Sequence, residues 1–317
     1  MAVRRLFWRV LVAGIPLGGV SVLYFTRRLS LVALALAFTF AGSKKAETPR
    51  TAATDDFGDS VRIGRAPTRI VSLSPATTEI LFTLGAGPRL VGRTKYDLWP
   101  DSAKLIPSVG DGMRPNIEAV LAVHPDLVVI YASQDNRPAA TRFRAAGVNT
   151  LALRGDRISE FRRVVQLLGA TIGDTARAKI LADSVHHTLD SVRAATLPLS
   201  RPTVFWHVWD APVITIGGGS FMNDLVDIAG GRNVYADIKA PSGTVSLEDV
   251  SRRDPDIILA GPDGKHQIES DARWRIVRAV REGRVFVVDT GVVARPSVRL
   301  GEAAVLLAKL LHPGTLH

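Results

Sequence analysis

Five ring-bearing side chains stand where strand-like runs give out. Tyr96 follows Val91-Gly92, Tyr131 closes Leu127–Tyr131, and Trp206, His207 and Trp209 lie at or just after the run 203–208. In an α/β sheet, ligands sit beyond the carboxyl ends of the strands. Flat rings at such a rim suit the face of a planar ligand. Core packing is the competing role for the tryptophans; three apart on one strand, Trp206 and Trp209 face opposite ways, so at most one of them lines a cleft. Covalent chemistry finds little support. There is no Gly-x-Ser-x-Gly elbow, no His-Glu-x-x-His pair and no phosphate loop ending in Lys-Ser/Thr. The chain has no cysteine, which excludes disulfides, thiolate metal sites and a cysteine nucleophile. His186 and His187 are neighbours on a helix, about 100° apart, and cannot readily share one metal. Gly217-Gly218-Gly219-Ser220 lacks the lysine or dinucleotide spacing of a phosphate site and reads as a turn with a serine cap. The expectation is a binding protein rather than an enzyme, with no cofactor and no protein-held metal.

The elements that position these residues are legible from Arg69 onward. Ile70–Leu73, Leu127–Tyr131 and Thr150–Leu153 read as buried parallel strands, separated by helical patterns. Ser74-Pro75 caps and starts a helix that Gly85 closes. Such alternation predicts an α/β sheet with helices on both faces.

An internal repeat divides this pattern in two. Ile117-Glu118-Ala119-Val120 with Pro125-Asp126-Leu127-Val128 matches Leu247-Glu248-Asp249-Val250 with Pro255-Asp256-Ile257-Ile258, an offset of 130 residues. Glu79-Ile80-Leu81 and Gly85 match Asp224-Leu225-Val226 and Gly230 at 145, and Gly147 matches Gly283 at 136. Kept order with modest drift is what loop insertions produce. Between the halves, Leu181, Val185, Leu189 and Val192 recur at helical spacing, with Asp174 as cap and Leu197-Pro198 as stop. A helix of about 22 residues spans about 33 Å, a stiff connector that predicts small closure on ligand binding. The fold class expected is α/β, two Rossmann-like lobes of related topology joined by one long α-helix. The domains are residues 1–43, an export signal or N-terminal membrane anchor; 44–67, a polar tether; 68–173, the first ligand-binding lobe; 174–197, the linking helix; and 198–317, the second lobe.

The net charge of +10 belongs to the leader. Residues 1–50 hold eight of the 40 basic side chains and one of the 30 acids, leaving 32 against 29. That balance gives no reason to expect a nucleic-acid partner. Two apolar runs, Val10–Phe25 and Leu29–Gly42, each follow an arginine pair, the order of an export signal. Phe40-Ala41-Gly42-Ser43 has the form of a lipoprotein cleavage box with serine in place of the cysteine, so no lipid can be attached there. A periplasmic or otherwise extracytoplasmic location follows, with or without a retained anchor.

The run Arg69-Ile-Val-Ser-Leu-Ser-Pro-Ala-Thr-Thr-Glu79, with Gly85, Val91-Gly92 and Tyr96, resembles the opening of class III, helical-backbone substrate-binding proteins of ABC importers. Within that group the chain is most similar to vitamin B12 (cobalamin) binding proteins; relatives carry haem or ferric siderophores. The resemblance covers about residues 68–312. It implies that Glu118 and Glu248 dock on arginines of a permease dimer. Equivalent acids on two quasi-symmetric lobes suit a two-fold partner. It also implies ligand contacts at Tyr96, at Tyr131 where some relatives have tryptophan, at Asp111 in Gly110–Met113, at Ser242 in Lys239–Gly243, and at Arg295. Two aromatic positions depart from the family pattern, since the tryptophan some members carry in the Gly110–Met113 loop is missing and Ser242 stands where tryptophan is expected; Gly291 also replaces the aspartate that relatives carry four residues before the arginine. Those departures leave haem or a ferric siderophore as alternatives to a corrinoid. A monomeric carrier of a tetrapyrrole-like small molecule is expected; the reading of another class is a membrane-anchored sensor or interaction protein.

Overall fold

A computed structural model describes residues 52–314, which belong to one compact unit. The leader, residues 1–43, lies outside the described residues. Among the described residues no helix is long and apolar enough to cross a membrane.

The chain opens with a hairpin of β1 (Ala52–Thr54) and β2 (Ser60–Arg62). Then come β3 (Ile70–Ser72), α1 (Pro75–Thr83), β4 (Leu90–Gly92), α2 (Ile117–Ala122), β5 (Leu127–Tyr131), α3 (Arg137–Ala145), β6 (Asn149–Leu153) and α4 (Ile158–Ile172). The linking helix α5 runs Thr175–Thr196. The second lobe holds β7 (Thr203–Asp210), β8 (Val213–Ile216), α6 (Phe221–Ile228), β9 (Arg232–Asn233), β10 (Ser242–Thr244), α7 (Leu247–Arg253), β11 (Ile257–Ala260), α8 (Pro262–Ser270), α9 (Arg278–Arg281), β12 (Val285–Val287), α10 (Thr290–Val293) and α11 (Leu300–Leu311).

The repeat is real at the level of topology. The first lobe's sheet has the order β4-β3-β5-β6, all parallel. In the second, β9, β7, β11 and β12 repeat that order, also parallel, and β8 and β10 are added antiparallel at the far end of β7. Local devices repeat too. Asn116 and Ser246 cap α2 and α7 by accepting from the amides of Ala119 and Asp249. Both short helices end before the only two described non-glycine residues with positive φ, His124 (46°) and Asp254 (45°). Asp126 accepts from the Thr68 and Arg69 amides, while Asp256 accepts from the amide and hydroxyl of Thr203. Each aspartate thus ties the start of a central strand to its neighbour.

Residues 52–62 correct the reading of 44–67 as a tether. Asp55, its side chain fully buried, accepts from the amides of Phe57, Asp59 and Ala152 and pairs with Arg144 at 2.5 Å. Arg144 also holds Asp59 at 2.6 Å, and Asn149 brackets the Arg62 backbone. The hairpin is therefore folded against β6, and polar composition misled because its partners lie some 90 residues away.

Helix α5 carries one buried stripe: Ala178, Ala182, Val185, Leu189, Val192 and Thr196. It packs on α4 from the first lobe and on α6 and α11 from the second. The largest buried cluster runs through both lobes around it, from Ile80, Leu127 and Val165 to Val204, Leu225 and Leu307. Each lobe has a smaller outer core, around Phe143 and Val120 in the first and around Phe205 and Trp274 in the second. Close approach explains Gly169: a Cβ there would meet the Ala178 Cβ at 2.2 Å.

Asp256 gives a pH test of the strand anchor. Hydrogen bonds from Thr203, with Arg278 beside them, hold its carboxyl down at about 2 against an ordinary 3.8. A lowered folded value contributes stability that is present above the unfolded pKa and lost as the pH falls through the folded one. Asp256→Asn should therefore cost stability at neutral pH, and the gap from the parent should close between about pH 4 and pH 2. Urea unfolding across that range measures it; a gap independent of pH would show that the charge is not what anchors the strand.

Candidate functional site

The site is built on strand ends. Leu73 and Ser74 follow β3, Thr94 and Tyr96 follow β4, and Tyr131 ends β5 at the same edge of the first lobe. The second lobe brings Ala294, Arg295 and Pro296, after α10. Together with Asp111, Gly112, Met113 and Asn136 these residues line one cavity of about 450 Å³. A second cavity of about 200 Å³ shares Ser74, Ala76, Tyr131 and Pro296 and reaches Asp156 and Phe221.

Each wall has a local cause. Tyr96 is half exposed, and its hydroxyl lies 3.4 Å from Asp111 Oδ2. Its loop is anchored from below by Asp97, which is buried and accepts from the hydroxyls of Thr78 on α1 and of Thr94. Burial raises the Asp97 carboxyl from its ordinary value, although the threonine bonds pull the other way. The Gly110–Met113 loop passes so near β3 that a Cβ on Gly112 would sit 2.1 Å from the Leu73 carbonyl oxygen. Buried Asn136 fastens that loop to β5, donating to the carbonyls of Gly112 and Tyr131 at 3.1 Å each. Asp111 accepts from the Met113 amide, and that bond, with Lys95 at 3.6 Å, holds its carboxyl below the usual range. The Tyr131 hydroxyl donates to Asp156 at 2.6 Å; burial first, and then that carboxylate, push the phenol up to about 12.

Arg295 crosses the cleft. Its Nη1 donates to Glu79 Oε1 at 3.0 Å and its Nη2 to the Tyr96 carbonyl at 3.1 Å. Ser297 donates to the other Glu79 oxygen at 2.5 Å, and Glu79 is fully buried. Burial raises the Glu79 carboxyl despite these partners.

The structure therefore brings Tyr96, Asp111, Tyr131 and Arg295 to one cavity. Four other expected contacts, Trp206, His207, Trp209 and Ser242, do not line it. Trp206 is 3% exposed and belongs to the central core. His207 is equally buried on the opposite side of β7, edge-on to Trp274 at 5.6 Å, and its burial lowers the imidazole pKa. Two consecutive strand residues point to opposite faces, and both faces here are covered by helices, so neither ring touches a cleft. Ser242 is exposed on the edge strand β10, paired with Ile216, and is not among the lining residues. Trp209 is 62% exposed beyond a register shift in β7, with its indole donating to the Ala211 carbonyl. Glu79, Asp97, Asn136 and Asp156 were not among the expected site residues. Only Glu79 had a signal in the sequence, its match to Asp224 in the repeat.

The comparisons with known proteins fit this geometry. A family model described as periplasmic binding protein matches residues 70–290. The chain belongs to that family. A Bacillus subtilis (strain 168) protein named an uncharacterized ABC transporter substrate-binding lipoprotein is 30% identical over 271 residues, 82% of this chain and 85% of its own length. The crystal structure of the periplasmic vitamin B12 binding protein of Vibrio cholerae superposes with a TM-score of 0.70 at 23% identity, over 77% of this chain and 96% of that one. A periplasmic heme-binding protein from Roseiflexus sp. RS-1 gives 0.71 at 23%, covering 78% and 98%. The two-lobed binding-protein fold is thus shared by proteins with different ligands, among them relatives named as periplasmic or as ABC transporter substrate-binding proteins.

Removing the anchor beneath Tyr96 tests the site's construction. Asp97→Ala leaves two hydroxyls and an amide without their acceptor and should cost about 2–4 kcal/mol in urea unfolding. Asp97→Asn, which keeps an acceptor, should cost less. Equal losses would mean the carboxylate's bonds do not hold the loop.

Proposed function

We propose that this chain captures a cobalamin-type corrinoid in the cleft lined by Tyr96, Asp111, Tyr131 and Arg295 and delivers it to an ABC importer. The observation that carries the reading is the convergence of two exposed phenols from one lobe and an arginine from the other on a single cavity. Two flat rings offer a platform for a macrocycle, and Arg295 supplies a donor.

The charge of the walls favours a corrinoid over its alternatives. Asp111, Asp135 and Asp156 line the two adjacent cavities, while Arg295, the one cationic liner among the described residues, is already paired with Glu79. Carboxylates accept from amide N–H groups, which a corrin periphery carries in number. They repel haem propionates and catecholates. The Tyr131 phenol is committed as a donor to Asp156, a poor starting point for a phenolate ligand to iron.

Docking rests on Glu118 and Glu248. Both are exposed in the first turn of matching helices, α2 and α7, and neither has an ion-pair partner among the described residues. Acids spread over two related lobes fit a two-fold permease surface. Residues 1–43 carry the protein out of the cytoplasm, as signal or as anchor.

Titration of residues 44–317 with cyanocobalamin, read by tryptophan fluorescence and calorimetry, should show saturable one-to-one binding. Arg295→Ala and Tyr131→Ala should each weaken it about tenfold or more. Binding of haem or a ferric siderophore with no response to cyanocobalamin would reassign the ligand. Charge reversal at both Glu118 and Glu248 should abolish uptake by cells while leaving ligand affinity unchanged; unimpaired uptake would count for a sensor or interaction protein instead.

A further inference from the structure

The matched acids of the repeat do the same work in opposite directions. Glu79 sits on α1 of the first lobe and reaches Arg295 of the second. Asp224 sits on α6 of the second lobe and reaches Arg157 of the first, with Nε at 2.9 Å from Oδ2 and Nη2 at 2.5 Å from Oδ1. The arginines are themselves equivalent: Arg157 follows β6 and Arg295 follows β12, 138 residues apart, beside the 136 that separates Gly147 from Gly283. The acids keep the 145-residue offset of Gly85 and Gly230, whose φ values agree at 80° and 78°.

Each acid also takes a second donor from the facing lobe. Ser297 Oγ donates to Glu79, and the Ile158 amide donates to Asp224 Oδ2 at 3.1 Å. Ile158 is the first residue of α4, and the arginine at the cap position has no acceptor to offer. An aspartate from the other lobe thus takes one of the orphan amides at that helix start, where negative charge is also favoured. The two contacts differ in surroundings. Glu79 is fully buried, and its partner Arg295 lines the ligand cavity, whereas Arg157 and Asp224 line a separate cavity with Arg201 and Arg232.

We propose that Glu79 and Asp224 are equivalent positioning residues: each clasps an arginine beyond the last strand of the other lobe, the pair fixes the angle between the lobes, and the Glu79 half also aims Arg295 at the ligand. Lobe angle and ligand contact are coupled on one side of the molecule only. Release of the ligand then requires the Glu79 clasp to be strained, while the Asp224 clasp can act as the pivot.

The ligand half rests on the cleft reading above; the lobe-angle half does not. Because the chain lacks cysteine, Thr141→Cys on α3 and His266→Cys on α8, both exposed, give one spin label per lobe. Distances are measured by pulsed electron resonance on the full chain in mild detergent, without ligand. Glu79→Gln and Asp224→Asn should each broaden the distribution, and the double variant should broaden it more. Cyanocobalamin affinity should fall about tenfold for Glu79→Gln and less than about twofold for Asp224→Asn. Glu79→Asp should recover neither, since the shorter side chain cannot span to both Arg295 and Ser297. If a Glu79 variant does not fold, Arg157→Gln with Arg295→Gln tests the same clasps from the more exposed partners. Distributions superimposable on the parent, even with lowered thermal stability, would overturn the proposal. A parent that binds no cyanocobalamin but widens on substitution would sink the ligand reading and leave the clasps standing.

Discussion

The described fold hangs on the packing of one helix against helices of both lobes. The buried stripe of α5 meets α4 at one end and α6 and α11 at the other, so the apolar core is continuous from lobe to lobe. Opening the cleft widely would expose that core, at roughly 25 cal/mol for each Å² of apolar surface. Packing therefore limits the lobes to small angular changes, the range within which the two arginine clasps act. The cavity needs such a constraint, because its aromatic wall and its arginine come from different lobes.

Symmetry is kept where the lobes are built and broken where they face a ligand. The strand order, the capped helices, the left-handed residues after them and the aspartate anchors all repeat. Beyond the central strand ends the halves diverge. The first lobe supplies Tyr96 and Asp111 from loops and Tyr131 from the end of β5, while the second extends β7, adds β8 and β10, and leaves Trp209 exposed. A duplicated scaffold can thus present matching outer faces and one unsymmetrical pocket.

Three buried carboxylates hold the parts together, and each costs desolvation that its partners offset. Asp55 closes the hairpin on β6, Asp97 anchors the Tyr96 loop, and Glu79 joins the lobes. None stands alone; each accepts at least two hydrogen bonds, which is what keeps a buried acid tolerable.

The sequence by itself determined the periodic and repeated features. Strand Leu127–Tyr131 lies where its apolar run places it, α5 occupies the span that Asp174 and Leu197-Pro198 delimit, and the two Glu…Pro-Asp segments mark the lobes. Such features depend on neighbours a few residues away, so they survive in one dimension. Tertiary structure alone decided which strand-end rings see solvent. Trp206 and His207 share their run with Trp209, yet helices cover both faces of β7 and bury the first two. It decided that polar residues 52–62 fold, through Arg144 and Asn149. It also joined Glu79 to Arg295 across 216 positions, a contact no local pattern encodes because its energy depends on the burial that the whole fold creates.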